Sequence, residues 1–302
     1  MSFKSGFVSL IGRPNVGKST LMNLFIGEKA SIVSAKPQTT RNTIRGVLTG
    51  DDYQIIFLDT PGVHEPKTKL GGFMVRSALA AMNESDLVLY MVEPRRTMHD
   101  GDKILTERLR KVSAPVFLLI NKTDEAVKSD LLKIIDDYRT RADFKEIFPI
   151  SALKADNTGA LLDAVRETLP EGPMYYSEDT LTDQPERMIA AELVREKALF
   201  YLQEEIPHGT AVEIQQMRGR ENSEIIDVDA CVYCEKNSHK AIVIGKGGEM
   251  LKKIGTAARR DIESLLGVKI NLRLWVKVKK NWRDNERLLR SLGYDLKIDG
   301  PR

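Results

Sequence analysis

The segment Gly12-Arg13-Pro14-Asn15-Val16-Gly17-Lys18-Ser19 constrains this chain more than any other. It fits G-x-x-x-x-G-K-[ST], a loop whose backbone N–H groups turn inward around phosphate oxygens. The apolar run 7–11 before it reads as a buried strand, and 20–25 after it as an amphipathic helix. A helix N-terminus adds partial positive charge where phosphates would sit. Gly12 and Gly17 permit the turn, and Thr20 continues into the helix. Lys18 would neutralise the β- and γ-phosphates, and Ser19 would place its hydroxyl on Mg²⁺. At ~7% glycine the fixed residues arise by chance in roughly one chain in a hundred. Three further motifs downstream therefore decide the matter.

The 302 residues leave room for two domains, each with its own core. Charge is uneven along the chain. Residues 236–302 hold 17 Lys+Arg against 7 Asp+Glu, which is +10, whereas the whole chain is +3 and residues 1–235 are therefore −7. A basic block behind an acidic body suggests a polyanionic partner for that block, and solvated helix surface is the plain alternative. No apolar run reaches the roughly 20 residues that span a bilayer, and 7–11 is too short for a secretory signal. Two cysteines, Cys231 and Cys234, make no disulfide framework, so a reducing cytoplasm is expected. Their C-x-x-C spacing lacks a second Cys/His pair. Both lie in a strand-like stretch, which favours a structural role over metal or redox chemistry.

Up to residue 170, apolar runs at 7–11, 54–58, 87–92, 116–120 and 147–150 alternate with helical patterns at 70–82, 103–111, 129–139 and 158–169. That rhythm predicts βαβ units, an α/β fold and a mostly parallel sheet. Ligands of such sheets sit at the C-terminal strand ends. Asp59-Thr60-Pro61-Gly62 follows one run and fits D-x-x-G, with the Asp holding Mg²⁺ through water and the glycine N–H facing a γ-phosphate. Asn121-Lys122-Thr123-Asp124 follows another and fits N-K-x-D. An Asp carboxylate there accepts from guanine N1–H and N2–H₂. Adenine lacks the N2 donors and would leave buried groups unpaired. Asn121 would contact the base and tie loops together, while the Lys122 stem covers the base face. Ser151-Ala152 completes the pocket through backbone contacts to the guanine oxygen. The polar stretch Pro37-Gln38-Thr39-Thr40-Arg41 suits a mobile switch, with one threonine on Mg²⁺; Thr40 is preferred to Thr39.

These motifs in this order resemble the translation-factor-related GTPases, and G-R-P-N-V-G-K-S, T-T-R, D-T-P-G, N-K-T-D and S-A are similar to the Era family in particular. The resemblance implies GTP/GDP binding with Mg²⁺, and catalysis that leans on Lys18, Thr40 and Gly62. Relatives in the wider class often carry a catalytic glutamine after D-x-x-G; here the residue is Val63, so intrinsic hydrolysis should be slow. The resemblance also offers Asn15 as a K⁺ ligand. A turn residue is the equal alternative.

Pro170, Gly172, Pro173 and Pro185 bracket an aperiodic polar segment. The expected organisation is a P-loop G domain over 1–170, a linker over 171–185 and a smaller α+β domain over 186–302. The second part reads as helix 188–202, strands 210–217 and 226–234, a short helix 240–244, the loop Gly245-Lys246-Gly247-Gly248, a long helix to about 266 and a strand 268–278. In that last strand Ile270, Leu272, Leu274, Val276 and Val278 share one face, opposite Asn271, Arg273, Trp275, Lys277 and Lys279. This order resembles the type II KH fold. Its G-x-x-G loop clamps about four nucleotides of a single strand, because glycine lets the sugar-phosphate backbone come close. The loop alone is a weak signal. The following basic helix, with Lys252, Lys253, Arg259 and Arg260, strengthens it. Trp275 is a base-stacking or core residue, and 281–291 a closing helix. The whole chain resembles the Era family, its closing 274–279, 282–283 and 290–294 included. That resemblance implies a monomer, binding near the 3′ end of 16S ribosomal RNA, a role in small-subunit assembly, and loose peripheral membrane contact. A signalling switch whose second domain docks a protein or membrane surface is the alternative. A metabolic kinase fits poorly with N-K-x-D.

Overall fold

The computed structural model describes residues 2–294 apart from 35, 37, 96 and 222. Pro37 of the switch stretch and residues 295–302 of the expected second domain lie outside the described residues. The first part is a six-stranded sheet in the order β2-β3-β1-β4-β5-β6. Its strands are β1 (Lys4–Gly12), β2 (Ile44–Gly50), β3 (Tyr53–Asp59), β4 (Leu87–Val92), β5 (Val116–Ile120) and β6 (Glu146–Pro149). All neighbours run parallel except β2, which is antiparallel to β3.

The central strands read as unbroken apolar runs because both faces are covered. Leu87, Leu89 and Met91 of β4, with Phe117 and Leu119 of β5, face α1 (Lys18–Ile26) and α5 (Thr158–Thr168). Val88, Tyr90, Val92, Leu118 and Ile120 face the other way, onto α2 (Lys69–Asn83), α3 (Asp100–Leu109) and α4 (Lys128–Arg139). The edge strand β2 was not expected. Its two glycines hide the strand pattern, and Gly46 lets α1 pack close: a Cβ there would lie 2.1 Å from Ile26 Cδ1, which would have to move.

Between α5 and α6 (Glu186–Tyr201), residues 171–185 contain no helix or strand, but they are strapped down. Gln54 Oε1 accepts from the N–H groups of Tyr175 and Tyr176, at 2.7 and 2.9 Å. Leu181 O accepts from Val47 N at 2.9 Å and so covers the open edge of β2.

The second part has a three-stranded sheet, β7 (Ala211–Gly219), β8 (Ile226–Cys234) and β9 (Ile270–Val278). β7 and β8 are antiparallel, and β8 and β9 parallel. Helices α6, α7 (Asn237–Ile244) and α8 (Glu249–Leu266) pack on one face around Leu193, Val194, Val232, Ile254 and Ile262. The helix–strand–strand–helix–helix–strand order of a type II KH fold is therefore present, closed by α9 (Glu286–Ser291). Cys231 and Cys234 are buried and free, and strand alternation sends them to opposite faces. Cys231 packs with Trp282, and Cys234 with Ala230 and Val243. Trp275 is not a core residue. It is 41% exposed on the outer sheet face, with the Arg273 guanidinium 5.8 Å from its ring. Trp282 is the buried tryptophan, donating to Gly209 O at 2.9 Å.

The two parts share an apolar seam. Leu70, Phe73 and Met74 of α2 pack with Cys231, Tyr233, Trp282, Leu289 and Tyr294. Ile32, from the loop after α1, is buried in the second domain's own core.

Candidate functional site

A cleft of about 840 Å³ opens at the C-terminal ends of β1, β3 and β5. It is lined by Asn15, Gly17, Lys18, Ser19, Thr20, Thr40, Thr60, Gly62, Asn121, Lys122, Asp124, Ser151 and Ala152, among others. Loop residues predicted from separate motifs, far apart in the chain, thus converge on one cavity. The loop after β1 can be so tight only with glycine. A Cβ on Gly17, at φ 104°, would meet Asn121 Nδ2 at 2.2 Å, and one on Gly62 would meet Pro14 N at 2.5 Å.

Lys18 opens α1 and is 6% exposed. Its ammonium donates to Gly12 O at 3.2 Å and Arg13 O at 2.9 Å. Burial lowers its pKa to about 8, against the opposing pull of Asp59. An anion in the cleft would restore what burial took away.

Asp59 ends β3, fully buried. Its Oδ2 accepts from Ser19 Oγ at 2.6 Å, Ser31 Oγ at 2.8 Å and Thr40 Oγ1 at 3.3 Å. Thr40 Oγ1 lies 3.0 Å from Ser19 Oγ. Burial pushes the Asp59 carboxyl above its ordinary range, while the Ser19 hydrogen bond and Lys18 pull it back. Its Oδ1 is buried with no hydrogen-bond partner among the described residues. Two hydroxyls and one carboxylate, whose second oxygen is orphaned, make the hard oxygen set that Mg²⁺ takes, with water completing the shell. The residues fit the ion. Thr39 is placed elsewhere, donating to Lys36 O at 2.6 Å.

Asn121 ties two loops together. Its Nδ2 donates to Val16 O at 2.7 Å, and its Oδ1 accepts from Ala152 N at 2.9 Å. Asp124 is set by Ser151, whose Oγ donates to Oδ1 at 2.6 Å. That bond leaves Oδ2 for a ligand. Lys122 holds a left-handed φ of 64° and pairs with Glu93.

Three expectations change in detail. The Thr60 hydroxyl donates to Leu10 O at 2.6 Å inside the fold. Pro61 is buried and does not line the cleft. Gly12 sits beneath it, offering its carbonyl to Lys18 and Val63 N. Val63 itself is buried with Ile11, Ala78 and Val88. Asn15 is exposed, with φ 66°.

Sequence reasoning missed several residues. Ser31 completes the Asp59 cluster, yet nothing in its neighbourhood marks it. Arg13 is anchored by Asp102 at 2.8 Å, and Asp102 also accepts from Tyr90 at 3.1 Å. His64 Nδ1 lies 3.0 Å from Gly62 O, and its Nε2 lies 3.5 Å from Gln38 Nε2.

Lys29, Val33, Gln38, Thr39 and Arg41 are all held by the second domain. The Arg41 guanidinium, 1% exposed, donates to Thr210 O at 2.7 Å and His208 O at 3.0 Å, and lies 5.5 Å from the Trp282 ring centroid. Arg195 of α6 donates to Gln38 O and Thr39 O. Glu196 accepts from Val33 N at 3.1 Å and from Lys29 at 2.7 Å.

The second site is the loop between α7 and α8. Gly245, Gly247 and Gly248 have φ of 75°, 59° and 84°, and Lys246 is exposed. Beside the loop lies a groove of about 340 Å³ lined by Leu251, Lys252, Gly255, Arg259, Leu272 and Leu274. An apolar floor with a cationic edge suits a base and its phosphate. Lys253 lies outside this groove, on the other flank of α8.

Two family models match parts of the chain. One described as "50S ribosome-binding GTPase" matches residues 7–122, and one described as "KH domain" matches 205–283. The GTPase Era of Caldanaerobacter subterraneus subsp. tengcongensis is 52% identical over 294 residues, 97% of this chain and 99% of the relative. That of Clostridioides difficile is 54% identical with the same coverage. Two solved structures superpose over 97% of this chain and 100% of theirs. One is a point variant of Aquifex aeolicus Era bound to GDP·AlF4⁻, with TM-score 0.93 and 38% identity. The other is Era in complex with MgGDPNP and nucleotides 1506–1542 of 16S ribosomal RNA, with TM-score 0.94 and 39% identity.

Proposed function

The chain belongs to the Era family of GTPases, and from that premise we propose that its nucleotide state controls binding of the 3′ end of 16S ribosomal RNA during small-subunit assembly. One observation carries the coupling. The segment that brings Thr40 to Asp59 is the segment that Arg195 and the Arg41-binding pocket hold from the second domain. Any shift of Thr40 toward or away from the nucleotide must strain or release those contacts.

The chemistry follows from the placed groups. Backbone N–H groups of the loop and the start of α1 bind the β- and γ-phosphates, and Lys18 balances their charge. Bound Mg²⁺, held by Ser19, Thr40 and, through water, Asp59, would spread the charge that develops between those phosphates. Gly62 brings its N–H to the γ-phosphate side of the cleft. Buried Val63 cannot orient the attacking water, so catalysis must rely on charge stabilisation by other groups. We assign one such charge to K⁺ beside Asn15. Hydrolysis should then run severalfold faster in KCl than in NaCl at equal ionic strength, and Asn15→Ala should remove the difference. Equal wild-type rates in the two salts would refute the assignment.

Asp124 fixes the base. Asp124→Asn should lower GTP affinity at least tenfold and raise that for xanthosine triphosphate, because the amide presents a donor where guanine also donates. Competition binding checks this, and an unchanged GTP affinity rules out the pocket assignment. The coupling is tested by measuring RNA affinity with GDP and with a non-hydrolysable GTP analogue. The two should differ severalfold in the wild type, and Arg41→Met, which keeps bulk but removes the carbonyl contacts, should narrow the gap. Equal affinities in both states of the wild type would end the coupled reading. The same family reading makes the protein a cytoplasmic monomer with peripheral membrane contact. Among the described residues no helix is long and apolar enough to cross a membrane.

A further inference from the structure

The far flank of α8 carries a second feature that the G-x-x-G groove does not use. The last turn of α6 presents Phe200, 73% exposed, with Tyr201 beneath it in an edge contact at 4.9 Å and 86°. Lys253 Nζ sits 4.6 Å from the centre of the Tyr201 ring. Together with Lys252, Thr256, Ala257 and Arg260, Tyr201 lines a shallow depression of about 390 Å³; Glu249 is its one acid. Among the described residues Phe200 is the most exposed aromatic side chain.

The charges around it differ from those next door. Lys29 in the loop after α1 and Lys197 on α6 are both neutralised by Glu196 and Asp261. Among the described residues no carboxylate pairs with Lys252, Lys253 or Arg260. The depression also adjoins the groove: Lys252 and Thr256 line both. A strand leaving the groove over the ridge of α8 would arrive at Phe200.

We propose that Phe200, Tyr201, Lys253 and Arg260 form a second RNA subsite, which stacks an unpaired base on the Phe200 ring and takes its phosphate on Lys253 and Arg260. The proposal rests on the RNA reading of the groove. Exposed aromatic faces interleaved with unpaired cations are the chemistry of single-strand binding, since every base has a π-face and every linkage a charge. A KH groove clamps about four nucleotides, so this subsite is reached only by a longer strand.

The test compares fluorescently labelled single-stranded RNAs of four, eight and twelve nucleotides, cut from the 16S 3′ end, on the full chain. Wild type should bind the eight-nucleotide RNA more tightly than the four. Phe200→Ala should weaken the longer RNAs about tenfold and leave the four-nucleotide RNA unchanged. Phe200→Trp should keep the affinity, whereas Phe200→Leu, apolar but without a π-face, should lose it. Lys253→Glu with Arg260→Glu should act on the same RNAs and flatten their salt dependence. No loss with Phe200→Ala on any length overturns the subsite and leaves the ring as a protein contact. Equal loss on all lengths overturns it too, as an effect on the groove. If no wild-type RNA binds at any length, the groove reading itself fails and the subsite falls with it.

Discussion

Lys18→Ala should abolish measurable GTP binding while leaving the nucleotide-free fold as stable as before. In the cleft Lys18 is the buried cation that opens α1 behind the phosphate loop. Removing one member of a buried, hydrogen-bonded charge pair costs about 2–5 kcal/mol, so affinity should fall by roughly 30-fold to several thousand-fold. The empty protein should not notice, because burial already disfavours the ammonium, as its pKa of about 8 records. Thermal melting separates the two effects: the midpoint without nucleotide stays, and the rise on adding GTP disappears. The same group sets a pH dependence. Phosphate contact raises the pKa of Lys18 in the complex above that of the free protein. Below pH 8 the lysine is already charged, and affinity is at its full value. Above pH 8 binding must first take up a proton, and affinity should fall by up to tenfold per pH unit. GTP titrations at pH 7 and pH 9 check the sign, and a flat profile would mean that Lys18 does not contact the phosphates.

Much of this site could be read from the chain because its chemistry is local. A loop of fixed length between a strand and a helix places Gly17, Lys18 and Ser19 whatever the rest of the protein does. β4 and β5 match their apolar runs to the residue because both faces are buried, which leaves no polar position to blur the ends. β2 escaped notice for the opposite reason. It lies at the sheet edge, and Gly46 and Gly50 serve close packing rather than strand propensity. The two tryptophans show the limit of pattern reading. Alternation put Trp275 opposite Leu274, but whether that face would be covered depended on helices elsewhere, and they pack on the other side.

Long-range polar contacts were beyond reach. Arg41 looked like part of an exposed switch, yet its partners Thr210 O and His208 O lie more than 160 positions away. Arg195 and Glu196, inside the expected helix 188–202, are buried against Val33, Gln38 and Thr39. Burying an arginine is tolerable only when carbonyls and carboxylates converge on it, and that convergence is a property of the docked domains rather than of either sequence stretch. The coupling proposed between nucleotide and RNA would run through these contacts, where no motif could mark it.

Lys246→Asp with Gly247→Asp should reduce affinity for single-stranded RNA by ~100-fold or more without affecting GTP. The exchange makes the loop more negative at the point where a sugar-phosphate backbone must come closest. A phosphate that no longer meets a cation keeps its condensed counterions, so the entropy of releasing them is not gained. The fold should tolerate both changes. Lys246 is exposed, and a Cβ on Gly247 would meet nothing within 4 Å. Its φ of 59° and ψ of 16° fall in the left-handed region that Asp accepts better than most residues. Gly245 is a different case, since a Cβ there would strike Met250 N at 2.8 Å, and Gly245→Asp would confuse misfolding with weakened binding. The GTP cleft lies in the other domain and shares no residue with this loop. RNA binding by anisotropy and the GTP-induced rise in melting temperature should therefore be measured on the same preparation. Loss of the first with retention of the second assigns the loop to RNA. Retention of both would give the second domain to a protein or membrane partner instead, and loss of both would show that the loop shapes the whole molecule.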